Sequence, residues 1–180
     1  VGTRTGVKPA NFYEKIEENN SQGFDLGNTG AEGSNAYIQA LNLLKNQDEY
    51  DINLILAPGI ITAVHGTIAS KVIDVCEDRG DCFAILDPVV HAKNVGDVTT
   101  EAETRDSNYA AVYWPWVKIP DSQVGGTTRW VPPSVVLAGI FAFNDKVAAP
   151  WFAPAGLNRG GIDVAIQAER KLTQADRDTL

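Results

Sequence analysis

The chain has no methionine, two cysteines, two histidines and a deficit of positive charge. It also has no apolar run approaching the roughly 20 residues of a membrane span. Each scarcity removes a class of function. Cys76 and Cys82 are too few for a secreted disulfide scaffold or a zinc site; reduced, buried thiols that approach each other across a helix-to-strand turn are expected. His65 and His91 fall in no HExxH or HxH pattern, and no GxSxG elbow is present. With 15 Lys and Arg against 23 Asp and Glu, the net charge is −8, which argues against direct binding to a nucleic-acid backbone, where clustered cations are needed. No signal peptide is visible, so synthesis in the cytoplasm without membrane insertion is expected. The missing methionine, with Val1 at the start, reads as a fragment of a longer chain.

What is present is ordinary for a globular protein: 180 residues, 44% apolar and 21% charged, enough for one domain with a sizeable core. Residues 1–33 are poorly defined. Phe12-Tyr13-x-x-Ile16 has helical spacing, and Gly23, Gly27, Gly30 and Gly33 suggest a flexible loop; neither GxGxxG spacing nor a following Lys supports a phosphate cradle. Ser34 is placed to cap a helix with Tyr37, Leu41 and Leu44 on one stripe. Ile52 to Ala57 reads as a buried strand ended by Pro58-Gly59. Ile61, Val64, Ile68, Val72 and Val75 then recur at helical spacing, with Gly80 suited to the C-cap, and Cys82 to Leu86 forms a second apolar strand closed by Asp87-Pro88. Strand, helix and strand predict a parallel βαβ unit. Val89 to Asn108 is polar and acidic and reads as a long loop excursion. Tyr109 to Trp114 is a third strand, continued by Pro115 to Pro120 at a sheet edge, because internal prolines exclude a central ladder. Gly125-Gly126 marks a turn.

The stretch from Arg129 to Gly161 is the most distinctive. Pro132 and Pro133 suit the first turn of a helix, and Val135 to Phe143 is apolar on every side, as expected of a helix buried all round and stopping near Asn144-Asp145. Pro150, Pro154 and Gly156 then shape a loop with Trp151 as its buried anchor, so Trp151→Ala is expected to cost roughly 3–5 kcal/mol. Arg159, beside Gly160-Gly161, is a lone guanidinium suited to a bidentate carboxylate. Ile162, Val164 and Ile166 alternate as a short strand, and Thr173-x-x-Asp176 reads as a capping box opening a helix that Leu180 cuts short.

Arg129-Trp130-Val131-Pro132, the apolar helix, and Trp151-x-Ala-Pro-Ala-Gly-x-x-Arg159-Gly160 together resemble the signature of contractile-tail sheath proteins of myoviruses and phage-like contractile injection systems. The resemblance extends to Leu172-Thr173 and Arg177-Asp178-x-Leu180, and more weakly back to about Gly23. It implies an α/β fold, a mostly parallel layered sheet flanked by helices, with residues 34–180 forming a sheath core domain that stops before the C-terminal domain. It implies a structural subunit, not an enzyme, with no cofactor or metal. Identical copies would stack helically around an inner tail tube, exchange strands with neighbours, and meet baseplate and tail terminator proteins in a virion assembled in the bacterial cytoplasm. Contraction would drive the tube through the host envelope. The residues singled out as signature or subunit-contact candidates are Arg129, Trp130, Pro132, Trp151, Pro154, Gly156, Arg159, Gly160 and Arg177, and Arg170 joins Arg129, Arg159 and Arg177 as a candidate for ion pairs.

A second reading stays open at this point. Asp87 and His91 lie at the carboxyl end of the predicted sheet, where a small α/β enzyme or ligand-binding domain would place a base and its orienter. Arg79-Gly80-Asp81 matches an adhesion tripeptide but also suits a helix terminus and turn. Trp114, Trp116, Trp130 and Trp151 could form a stacking platform; core and subunit packing accounts for them more simply.

Overall fold

The computed structural model describes residues 14–180. It divides into two compact units, one ending at Val112 and one running from Tyr113 to Leu180. In the first, β1 (Leu54–Ile61), β2 (Phe83–Asp87) and β3 (Ala110–Val112) form a parallel sheet in the order β1-β2-β3. The helix α2 (Gly66–Arg79) connects β1 to β2, which is the βαβ unit read from the apolar spacing. Its stripe of Ile68, Val72, Val75 and Cys76 is buried against Ile55, Ala84 and Leu86 of the sheet, and α1 (Glu32–Leu44) adds Leu41 and the partly buried Tyr37 to the same cluster. Gly80 caps α2 in the left-handed conformation at φ 71°, as its position predicts. Cys76 and Cys82 are reduced and buried with Sγ atoms 3.4 Å apart, and burial pushes the Cys76 thiol up, which keeps it inert.

Four sequence expectations in this unit are corrected. The helix at Phe12-Tyr13-x-x-Ile16 falls mostly outside the described residues, and Ile16, which lies inside them, is in no helix. Ser34 is buried within α1, whose N-cap is Ala31. β1 does not end at Pro58-Gly59: those residues sit in an irregularity between Leu56 and Ile61, and the ladder resumes beyond it. The segment beneath explains why, since Ser21 Oγ donates to the Gly59 carbonyl (2.6 Å) and Gln22 Nε2 to that of Pro58 (2.8 Å), satisfying oxygens that the ladder leaves unpaired. Residues 89–108 are not one loop. They contain α3 (Val95–Ala102), opened by a reciprocal capping box between Asn94 and Asp97, which makes a second strand-helix-strand crossover into β3.

The second unit carries an antiparallel sheet, where the sequence reading expected a mostly parallel one. β4 (Val117–Pro120) lies between β5 (Thr128–Val131) and β6 (Gln167–Ala168). The expected edge strand is therefore central. Its prolines permit this because Pro115 precedes the strand and Pro120 is its last residue, facing only Thr128 of β5, while β6 pairs at Val117 and Lys118. The strand expected over Ile162, Val164 and Ile166 does not form: the Ala165 amide turns back to donate to the Ile162 carbonyl, Val164 and Ile166 are exposed, and the two-residue β6 begins only at Gln167. Helix α4 (Pro133–Val147) starts after N-cap Pro132, and α5 (Gln174–Thr179) opens with the expected Thr173–Asp176 capping box. Among the described residues, no helix is long and apolar enough to cross a membrane.

The tightest polar anchor of the first unit is Arg79. Its guanidinium pairs bidentately with Asp81 (both contacts 2.8 Å) and donates to the carbonyls of Leu44 (2.6 Å) and Tyr50 (2.8 Å), while Gln47 Nε2 donates to the Arg79 backbone carbonyl. Urea and thermal unfolding of Arg79→Ala should show a midpoint lowered by more than about 8 °C, with Asp81→Asn losing much less because Asp81 is half exposed. His65 supplies a pH test. Its Nδ1 accepts the Ile61 amide and its Nε2 donates to the Glu17 carbonyl, each at 3.0 Å, so the neutral ring fits and burial holds its pKa below 6.5. The unfolded chain then binds the proton more readily, so this stability is complete above about pH 6.5 and is lost as pH falls below that value. The thermal midpoint should drop between about pH 7 and pH 5, and His65→Gln should flatten that slope.

Candidate functional site

The carboxyl end of the parallel sheet is where an α/β enzyme would act. Here Asp87 is buried, at 1% exposure, while His91 is exposed in the turn that follows. The space above the strands is crossed by Arg105, which donates to Glu101 (2.8 Å), to Ser70 Oγ (2.9 Å) and to the Thr62 carbonyl (3.3 Å). The remaining cavity beside Leu86, Arg105 and Ala110 measures about 90 Å³, well below the roughly 300 Å³ at which ligand pockets begin. Among the described residues, no group of three or more His, Cys, Asp or Glu is placed to hold a metal ion. The Asp87/His91 alternative is not favoured.

The second unit presents a different surface. The expectation that α4 is buried all round is corrected: Pro133, Ser134, Leu137, Ile140 and Asn144 face inward, while Val135, Phe143 and Val147 are 41%, 49% and 52% exposed. One stripe of this helix satisfies the fold, while Val135, Ala138, Gly139, Ala142 and Phe143 are apolar and exposed and Val136 and Phe141 half-buried. Among the described residues, ten of the twelve large apolar side chains that are exposed lie in the second unit, Leu43 and Tyr109 being those of the first. This is a concentration, where scattered single residues are the norm.

Trp151 belongs to that surface. It is 83% exposed and stacks only loosely on Phe152, at 6.5 Å between ring centres, so it does not anchor the loop. The anchor is Asn144, which is 1% exposed and donates from Nδ2 to the Phe152 carbonyl at 2.8 Å. A Trp side chain prefers burial, and the backbone of this loop already has its polar tether, so the ring is free to face outward. Gly156 takes φ 79° as its place in the loop requires, and Gly160 bonds back to the Gly156 carbonyl at 2.8 Å, where a Cβ would strike Pro154 and Ala155. Pro154 is half-buried between them.

The arginines separate into two kinds. Arg129 pairs with Asp121 across the β4–β5 turn at 2.7 Å, Arg170 with Asp176 at 3.6 Å, and Arg177 donates to Gln174 at 3.3 Å, so these brace local structure. The backbone amide of Gln123 and the guanidinium of Arg129 hold the Asp121 carboxyl below its usual range. Trp130 is half-buried with the Lys118 ammonium 5.5 Å from its ring centre. Arg159 is the other kind: its guanidinium lies 5.4 Å over the Phe152 ring, and its Nε is buried with no hydrogen-bond partner among the described residues. Sequence reasoning missed Arg79, Arg105 and Asn144. The sequence places Arg79 at a helix terminus and turn, where it lies, but the acceptors that bury its guanidinium come from 29 and 35 residues away.

The pattern of the phage tail sheath protein central domain matches residues 30–180. The tail sheath protein of Vibrio phage KVP40 is 26% identical over 196 aligned residues, covering 91% of this chain and 28% of that protein. That of Enterobacteria phage T4 is 27% identical over 178, covering 84% and 27%. The chain thus spans about a quarter of the length of these relatives. Among solved structures, the contracted helical sheath of the anti-feeding prophage, determined by cryo-electron microscopy, shares the fold with a TM-score of 0.54 at 20% identity, covering 87% of this chain and 38% of that one. With an α/β core of this topology and a family pattern over most of its length, the chain belongs to the phage tail sheath protein family, whose central domain it carries.

Proposed function

We propose that the full-length protein is the subunit of a contractile tail sheath and works by packing, not by catalysis. Identical copies polymerise as a helix around an inner tail tube between baseplate and tail terminator proteins, in a virion assembled in the host cytoplasm. Contraction then drives the tube through the host envelope. Family membership supports the reading, and so does the likeness of fold to a sheath captured in a contracted state. The single observation that carries it is α4, apolar on every side from Val135 to Phe143 with only one stripe buried by its own unit.

The physics suits such a device. A sheath must store free energy in contacts between subunits and release it by moving rigid bodies past one another. The first unit offers a stiff body: a parallel sheet, two packed helices and a buried Arg79 cluster. The second offers apolar area that can be covered in one lattice and re-covered in another. Its contacts are heterologous, joining different surfaces of like subunits, so they extend as a helix without closing.

Negative-stain microscopy of the concentrated full-length protein, alone and with tail tube as template, should show long striated tubes. Discrete particles under both conditions would contradict the proposal. Trp151→Ala should leave unfolding free energy within about 0.5 kcal/mol of wild type, because an exposed ring contributes little to the fold. The same substitution should reduce tube formation; a large loss of stability with normal tubes would return Trp151 to the interior.

A further inference from the structure

We propose that the trough along α4 docks a second copy of this chain, received through the acidic surface of residues 14–112. The inference rests on the sheath reading and names the partner that its apolar surface meets. Two adjoining depressions, of about 350 and 550 Å³, run between α4 and residues 157–166 and share Val136, Gly139, Asp163 and Val164 as walls. Phe143 and Leu157 line one end, Val135 and Ile166 the other. Each depression exceeds the cavity above the parallel sheet several-fold.

Two features of the trough are not accounted for by contacts among the described residues. Gly139 lies in the middle of a helix, where glycine weakens the element relative to alanine, yet a Cβ there would meet nothing within 4 Å. No neighbour in its own unit requires the small residue. An incoming side chain would. Arg159 stands at the Phe143 end with its buried Nε unmatched and its charge stacked on Phe152. The Nε is closed to solvent, so it is through the terminal nitrogens of this half-buried guanidinium that a carboxylate would be received. Asp163, also on the wall, is exposed and would stay in water at the rim.

Charge selects the partner surface. Residues 1–112 contain 17 Asp and Glu against 8 Lys and Arg, net −9, whereas residues 113–180 contain 6 against 7, net +1. Two first units set face to face would repel, while a first unit meeting the trough of the next copy brings carboxylates to Arg159 and exposed Leu43 or Tyr109 to apolar walls. That pairing joins unlike surfaces, so it repeats from copy to copy instead of closing into a dimer.

The test uses the full-length protein with a photo-reactive phenylalanine analogue at Phe143, assembled from a mixture of isotope-labelled and unlabelled copies. Cross-linked peptides should pair the trough with residues 14–112 of the opposite isotope. Arg159→Gln should lower that yield about tenfold, the scale of one lost charge-assisted hydrogen bond. Gly139→Leu, which fills the trough, should abolish the cross-link and tube growth with a thermal midpoint at or above wild type. Tubes whose cross-links stay within one copy, or reach a second copy outside residues 14–112, would overturn the inference and leave the sheath reading standing. Discrete particles without cross-links between copies would overturn both.

Discussion

A guanidinium carries five donors and a charge that it cannot shed, so at 1% side-chain exposure Arg79 must be met by acceptors from several directions. Asp81 takes one edge, and the carbonyls of Leu44 and Tyr50 take one donor each beyond it. Because those acceptors come from the end of α1, from the connection into β1 and from the turn before β2, the position of each is set by the same group. Gly80 must then turn left-handed to bring Asp81 back to the arginine two residues earlier. The apolar stripe of α2 supplies the burial, and Arg79 fixes which arrangement of elements is allowed to have it.

The two units solve opposite problems. The first closes on itself: among its described residues the large apolar side chains are buried or half-buried except Leu43 and Tyr109, Arg79 and Arg105 are tethered internally, and its composition is acidic. The second leaves Val135, Phe143, Trp151, Leu157 and Val164 in contact with solvent. Stacked subunits need both properties. Rigid bodies transmit displacement only when their interiors do not yield, and a lattice gains free energy only where apolar area remains to be covered on assembly.

Much of the first unit was legible because its signals are local. The 3-4-4-3 recurrence of Ile61 to Val75 implies a helix whatever surrounds it, although Ile61 itself belongs to β1, and Gly80 marks the end. The capping box at Thr173 was equally plain, while the one at Asn94 went unread because α3 has only eight residues and a mostly polar face. The continuation of β1 beyond Pro58-Gly59 depends on Ser21 and Gln22, far away in sequence. Trp151 and α4 failed for a deeper reason. Hydrophobicity says that a side chain is better covered, but not whether its own chain or another does the covering. A helix apolar on all sides reads alike for a core and for a subunit contact, and the choice becomes visible only once one face is seen to be enough. The sheath signature carried the identification even though the structural role assigned to its tryptophan was mistaken.

The measurement that tests this account most directly is amide hydrogen exchange on the full-length protein before and after assembly. Exchange slows where assembly covers or orders the backbone. The account expects α4 and residues 149–166 to gain protection, with α2, β1 and β2 unchanged from the free subunit. Protection gained across the parallel sheet and α2, with α4 exchanging as before, would contradict it.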